Sequence, residues 1–328
     1  MDRNDLRCRN LELLRSALQL RRVVTKPQAA EATGLSVVTV NTLMQELLER
    51  GEVQLTAGGI SSGGRPAQQY AFCADYRLAL AVHLQEADGR DTMFISVVDL
   101  LGNRLKEQRL QPQKISMEFF IQAVKPWFQQ YPQLAVLVVG IPGVEKDGRL
   151  LVDYPTLQGT RFAEKLQQVL GCPVYLENDI NAAVLGYSAA LGGQARQETV
   201  VGIYLPQQYP PGAGIVLRGE LYKGRDGMAG EVGRLPAFAV GASLDGDASR
   251  MASLSALFAA TWNPHRLVLY NEAAAPGALA QVRELAAQQL EDGCLPELEL
   301  KTSIYEDYGR GICALAMQYL QAAGKERC

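Results

Sequence analysis

Two glycines punctuate the first fifty residues and restrict what that stretch can become. Gly34 ends a segment of helical character over 26–33 that carries Pro27 in its first turn. Gly51 ends a second segment, 36–50, that opens on Ser36, a good helix N-cap. Upstream, Leu11, Leu13, Leu14, Ala17, Leu18 and Leu20 recur at helical spacing. The order is therefore helix, helix, tight turn, helix. After Gly51, Val53 and Leu55, then Tyr70 and Phe72, predict two short strands flanking the run from Gly58 to Pro66. That run is too rich in Gly and Ser to pack a core, and reads as the wing of a β-hairpin.

Within the third helix, Val40, Leu43, Met44, Leu47 and Leu48 form an inward stripe, leaving Ser36, Val37, Val38, Thr39, Asn41, Thr42 and Gln45 at its start and on its outer side. Short polar and methyl groups on a protruding helix suit the major groove, where amides pair with adenine and methyls touch thymine. A plain surface helix of a three-helix bundle would carry the same pattern. The wing favours DNA, because a glycine-rich loop bearing Arg65 beside Pro66 can lie along a narrow minor groove. Charge permits this without demanding it. Residues 1–74 hold nine Lys or Arg and seven acids, a balance of +2 in a chain of net charge −3.

From residue 75 the texture changes. Strands are expected over 78–84, 93–98 and 105–110, a helix over 116–130, a strand over 134–140, a helix over 161–170, a strand over 174–176 and a helix from 181. A second set follows, with strands near 200–205, 214–217 and 267–270 and helices near 253–262, 277–290 and 307–322. Two similar α/β lobes with a cleft between them suit this alternation. No apolar run approaches the ~20 residues of a membrane span. The start does not read as a secretion signal, so the cytoplasm is the expected location. The six cysteines are scattered without a C-x-x-C pair, and the two histidines, His83 and His265, lie far from any cysteine, so no metal site is expected.

Several motifs carry a resemblance. Ala29 and Ala30, Thr33-Gly34-Leu35-Ser36, Thr39-Val40 and Gly63-Gly64-Arg65-Pro66 resemble the reading head of the regulator branch of the ROK family (repressors, open reading frames and kinases). Gly140-Ile-Pro-Gly143, Glu177-Asn178-Asp179-Ile180-Asn181-Ala182-Ala183 and the run from Gly224 to Gly233 resemble motifs of its larger domain. The resemblance implies a winged helix-turn-helix over 1–74. Over 75–328 it implies a two-lobed ribonuclease H-like, actin-like ATPase fold of the sugar-kinase type, serving effector sensing and oligomerisation. In the family's kinases, the aspartate matching Asp179 is the general base, and the residues matching Asn178 and Glu231 bind sugar. Asp179 has an alternative role as a helix cap.

Three departures stand against phosphoryl transfer, which needs backbone donors and a metal-binding carboxylate around the triphosphate. The first phosphate loop is replaced by Val82-His83-Leu84-Gln85-Glu86-Ala87-Asp88. The second is replaced by the run from Pro206 to Gly214, whose prolines offer no amide proton. Arg234 stands where the family has a zinc-binding histidine, and 235–252 contains no cysteine. The asparagine usual before the E-N-D motif is replaced by Thr156.

The reading is a non-enzymatic DNA-binding transcriptional regulator, a repressor of carbohydrate-related genes. Its DNA contacts are assigned to Ser36, Val37, Val38, Thr39, Asn41, Thr42 and Arg65. Asn178, Asp179, Glu231 and Arg234 are assigned to a ligand, with no catalytic residue, metal or cofactor. Its partners are double-stranded DNA, a sugar or sugar-phosphate effector or a protein, and further copies of itself in a homodimer or homotetramer. An ATP-dependent sugar kinase with an accessory DNA-binding domain is the alternative, and a ligand-free scaffold a third.

Overall fold

The computed structural model describes residues 3–56, 68–87, 89–152, 154–193, 197–207, 209–238, 246–291 and 293–325. The wing loop, with Arg65, lies outside them. The head comprises α1 (Arg3–Arg21), β1 (Val23–Thr25), α2 (Lys26–Thr33), α3 (Val37–Glu49), β2 (Val53–Thr56) and β3 (Gln69–Phe72). Its three strands form one small antiparallel sheet in the order β1-β3-β2. Leu11, Leu14 and Leu18 of α1 close over Ala29, Val40, Met44 and Leu47, giving the head a core of its own. The three-residue strand β1 escapes periodicity because it is too short to alternate. Arg22, at φ 66°, turns the chain into it.

The larger body holds two five-stranded sheets. The first lobe supplies β4 (Leu78–Ala87), β5 (Arg90–Asp99), β6 (Arg104–Leu110), α4 (Met117–Gln130), β7 (Leu134–Ile141), the hairpin β8 (Gly143–Lys146) and β9 (Arg149–Val152), α5 (Phe162–Leu170), β10 (Val174–Asn178) and α6 (Asp179–Ala190). The second supplies β11 (Thr199–Tyr204), β12 (Gly212–Leu217), β13 (Glu220–Leu221), α7 (Gly246–Trp262), β14 (Arg266–Tyr270), α8 (Ala278–Ala287), β15 (Glu297–Lys301) and α9 (Tyr305–Lys325). The sheet orders are β10-β7-β4-β5-β6 and β13-β12-β11-β14-β15. In each, an antiparallel three-strand meander is extended from its first strand by two parallel strands, so the lobes share one topology. This is the two-lobed sugar-kinase fold.

Helices α6 and α9 lie between the sheets. Their buried faces share one core with Ala79, Val136 and Val138 of the first sheet and Val200, Val216 and Val268 of the second. Helices α4 and α5 cover the outer face of the first sheet, and α7 and α8 that of the second. The two central helices touch backbone to backbone. A Cβ on Gly186 would sit 1.9 Å from the Asp307 carbonyl oxygen, and one on Gly311 1.7 Å from that of Ala182.

Several element boundaries differ from the sequence reading. Helix α6 starts at Asp179, two residues before 181, because Asn178 is its cap. Strand β4 runs on to Ala87, past the expected end at Leu84, and pairs to its end with β5. The hairpin β8–β9 and the strands β13 and β15 had no clear signal: β15, Glu297-Leu-Glu-Leu-Lys301, alternates with glutamates outward and reads as polar.

Candidate nucleic-acid interface and interlobe cleft

The head is built by local chemistry. Thr25 caps α2, receiving the Gln28 amide at 3.4 Å, while the Gln28 side chain receives the Thr25 amide at 2.9 Å. Gly34, at φ 70°, adopts the left-handed turn that separates α2 from α3, a conformation cheap only for glycine. Ser36 then caps α3 by accepting the Thr39 amide at 3.1 Å.

Val40, Leu43, Met44 and Leu47 are buried, and the opposite face stands clear of the protein. Val37 and Val38 are 53% and 77% exposed, apolar surface kept in water with no burial inside this chain. Ser36, Asn41, Thr42 and Gln45 are exposed beside them, whereas Thr39 is half-buried with its hydroxyl 2.9 Å from that of Ser36. Thr42 donates its hydroxyl to the Val38 carbonyl at 3.2 Å, which leaves its methyl as the outward group.

One residue on this surface escaped the sequence reading. The Lys26 ammonium donates to the Asn41 side-chain oxygen. Lys26 stands 15 positions away on another helix, and only the packing of α2 on α3 joins the two. With its side-chain oxygen held by Lys26, Asn41 is positioned from outside its own helix.

The interlobe cleft is organised by the N-terminus of α6. Asn178 accepts the Ile180 and Asn181 amides at 3.0 and 3.3 Å and donates to the Gly143 carbonyl at 3.3 Å. It is therefore Asn178, and not Asp179, that caps the helix. Asp179 accepts the Ile180 amide at 2.7 Å, and burial pushes its carboxyl up to about 6, with Glu231 adding repulsion against that amide's help. Burial also raises the Glu231 carboxyl, opposed by Arg234, which is itself exposed. The buried Glu177 is held by Lys223 at 2.6 Å and accepts from the Asn181 side-chain amide at 3.0 Å.

The regions that would have to hold polyphosphate have other uses. In the first, β4 and β5 pair Gln85 with Thr92 and Glu86 with Asp91, so alternate backbone donors there are spent on the neighbouring strand. In the second, Pro210 and Pro211 pack on the turn that carries Glu231: Gly233 donates to the Pro211 carbonyl at 3.0 Å, and a Cβ on Gly233 would meet Pro210 at 2.4 Å. Acidic groups add repulsion. Tyr204 donates to Glu272 at 3.4 Å and Tyr154 to Asp91 at 3.2 Å, while burial and the nearby Glu272 and Glu86 push the Tyr305 phenol up to about 12. His83 is packed between the Phe94 and Tyr308 rings and is pushed down to about 4 by burial, so it is neutral at ordinary pH. Thr156 donates to the Ile115 carbonyl, a structural bond within the first lobe. Among the described residues, no three His, Cys, Asp or Glu side chains converge as metal ligands.

Comparison with known proteins agrees with this geometry. Residues 87–243 match the model of the ROK family. The chain carries a ROK-family domain. Over 226 residues it is 27% identical to a putative xylose repressor of Caldicellulosiruptor sp., an alignment covering 65% of this chain and 55% of that protein. The chain spans little more than half the length of such curated relatives. The crystal structure of a ROK family transcriptional regulator, a homologue of the E. coli MLC protein, superposes with a TM-score of 0.62 at 16% identity. That match covers 98% of this chain and 99% of the other, so the likeness of fold includes the head. A ROK hexokinase of Thermus thermophilus gives 0.58 at 20% identity, over 75% of this chain and 99% of its own. No helix among the described residues is long and apolar enough to cross a membrane.

Proposed function

We propose that this protein is a sugar-responsive transcriptional repressor that reads duplex DNA through its head and uses the ROK domain as a non-catalytic sensor and assembly platform. One observation carries the reading: an exposed apolar and amide face on α3, rigidly capped and positioned by α2, on a body whose phosphate-holding loops are otherwise occupied. The xylose repressor and other relatives with regulator names support it.

In this reading Val37, Val38 and the Thr42 methyl touch thymine methyls, and Asn41 pairs with adenine. Ser36, Thr39, Lys26 and Arg65 contact the backbone or the minor groove. Asn178, Asp179, Glu231 and Arg234 face the effector, a sugar or its phosphate. A two-fold assembly through the ROK domain would place two heads on a palindromic operator. An effector acts only if it binds the DNA-competent and DNA-incompetent geometries unequally.

Selection of bound fragments from the source genome, followed by gel shifts with the full chain, tests this. Recovery of a common palindromic site is expected, and failure to retain any fragment would refute it. The second reading, a sugar kinase, draws on Asp179, whose carboxyl near 6 suits a general base. A coupled ATP assay over a panel of hexoses should show no turnover. Turnover abolished by Asp179→Asn would establish the kinase instead.

A further inference from the structure

The joint between head and ROK domain is a polar structure in its own right. Glu52, at the base of the head, is buried and accepts two bonds from the Arg15 guanidinium, at 2.7 and 2.6 Å. The Tyr76 phenol, on the link to β4, is raised by burial and by the same nearby carboxylate. Beside this cluster lies a cavity of about 440 Å³, walled on one side by the head and on the other by residues 132–135 and 171–173 of the first lobe. That volume falls within the range of small-molecule sites, ~300–1,000 Å³.

Its charge is unusual for this chain. Among the described residues, Arg15, Arg50 and Arg77 line it with one acid, Glu52, and no Lys, Asp or His. All three already have partners, Glu52 for Arg15 and Glu46 for Arg50 among them, but the five N–H donors of each guanidinium leave capacity for an anion as well. Neighbouring carboxylates are already shared. Glu46 serves both Arg7 at 2.6 Å and Arg50 at 2.5 Å, and Glu52 stands 4.0 Å from Arg50 in addition to its bonds with Arg15. Cys172, also on the wall, adds no negative charge, because burial pushes its thiol up to about 11. Guanidinium groups in a fixed, partly desolvated array recognise phosphate and carboxylate oxygens by paired, charge-assisted hydrogen bonds.

We propose that this cavity binds a small, multiply charged anion of the phosphate-ester or polycarboxylate class, and that its occupancy sets the position of the head against the ROK domain. The effect on DNA rests on the repressor reading, whereas the anion site does not. Because the occupant touches both domains, it stabilises one head position, and DNA and anion must alter each other's affinity by the same factor.

Isothermal titration of the full chain at constant ionic strength tests the site, with inorganic phosphate, glucose 6-phosphate and citrate as probes and glucose as the neutral control. Saturable binding of at least one anion is expected, with none for glucose. The anion that binds distinguishes phosphate from carboxylate recognition. Arg77→Gln or Arg50→Gln should weaken it about tenfold or more, the loss of one charge-assisted bond. Ala135→Met, which fills the opposite wall without changing charge, should do the same and keeps the test open if an arginine variant does not fold. Asp179→Asn, in the interlobe cleft, should leave it unchanged. Absence of saturable binding, or binding that survives the cavity variants, would overturn the site. So would binding lost in Asp179→Asn and kept in Arg77→Gln, which would place the anion in the cleft. Gel shifts with and without the anion then test the coupling, and unchanged operator affinity would overturn it. A chain that binds no DNA at all would refute the repressor reading, while the titration would still decide the site.

Discussion

Replacing Gly311 by alanine opposes two physical effects whose signs differ. In a helix interior the substitution should stabilise by about 1 kcal/mol, since alanine loses less backbone entropy than glycine. In α9, however, the new Cβ would lie 1.7 Å from the Ala182 carbonyl oxygen and 2.5 Å from its carbon, where ordinary contact begins near 3.4 Å. Both obstacles are backbone atoms of α6, so no side chain can swing aside. The helices would have to separate by well over an ångström within a core shared by both sheets. Overpacking of a close-packed interior costs ~1–3 kcal/mol even where side chains can yield. The clash therefore outweighs the propensity gain, and a net loss of about 2 kcal/mol or more is expected. Urea unfolding followed by circular dichroism measures it, with Gly193→Ala as control, because a Cβ there meets nothing within 4 Å. A Gly311→Ala protein as stable as the parent would refute the backbone contact between α6 and α9, and with it the placement of Asp179 at the cleft.

Three further outcomes follow. Glu52→Gln should cost about 3 kcal/mol, since it leaves the mostly buried Arg15 guanidinium short of its counter-charge, and a double-mutant cycle with Arg15→Met should show strong coupling in urea unfolding. Asp179 keeps its proton in the folded state up to about pH 6 but releases it near 3.8 when unfolded, so the folded state binds more protons between those values. Stability should therefore fall as pH rises from about 4 to about 6, by no more than about 3 kcal/mol, and Asp179→Asn should remove that slope from denaturation curves taken across the range. In gel shifts, Asn41→Ala or Thr42→Ala should change the preferred base at one operator position by about 1–3 kcal/mol. Arg65→Ala and Lys26→Met should weaken binding, the latter equally across sequences and with a shallower salt dependence.

Sequence alone determined whatever rests on neighbours in the chain. Gly34 requires a left-handed turn, Ser36 satisfies an amide within three residues, and the stripe from Val40 to Leu47 repeats at the helical period, so the head could be drawn before any tertiary contact was known. The alternation of strands and helices beyond residue 75 likewise announced two lobes, and the prolines at 210 and 211 announced a missing phosphate loop. Tertiary structure decided what depends on distant segments. It brought Lys26 onto Asn41, carried β4 past Leu84 against β5, gave the α6 cap to Asn178, and opened the arginine-lined cavity between Arg15, Arg50 and Arg77. Caps, turns and periodicity act over a few residues and leave their mark in local order. Charge pairing, backbone proximity and cavities depend on the three-dimensional path of the chain, which no short window of residues records.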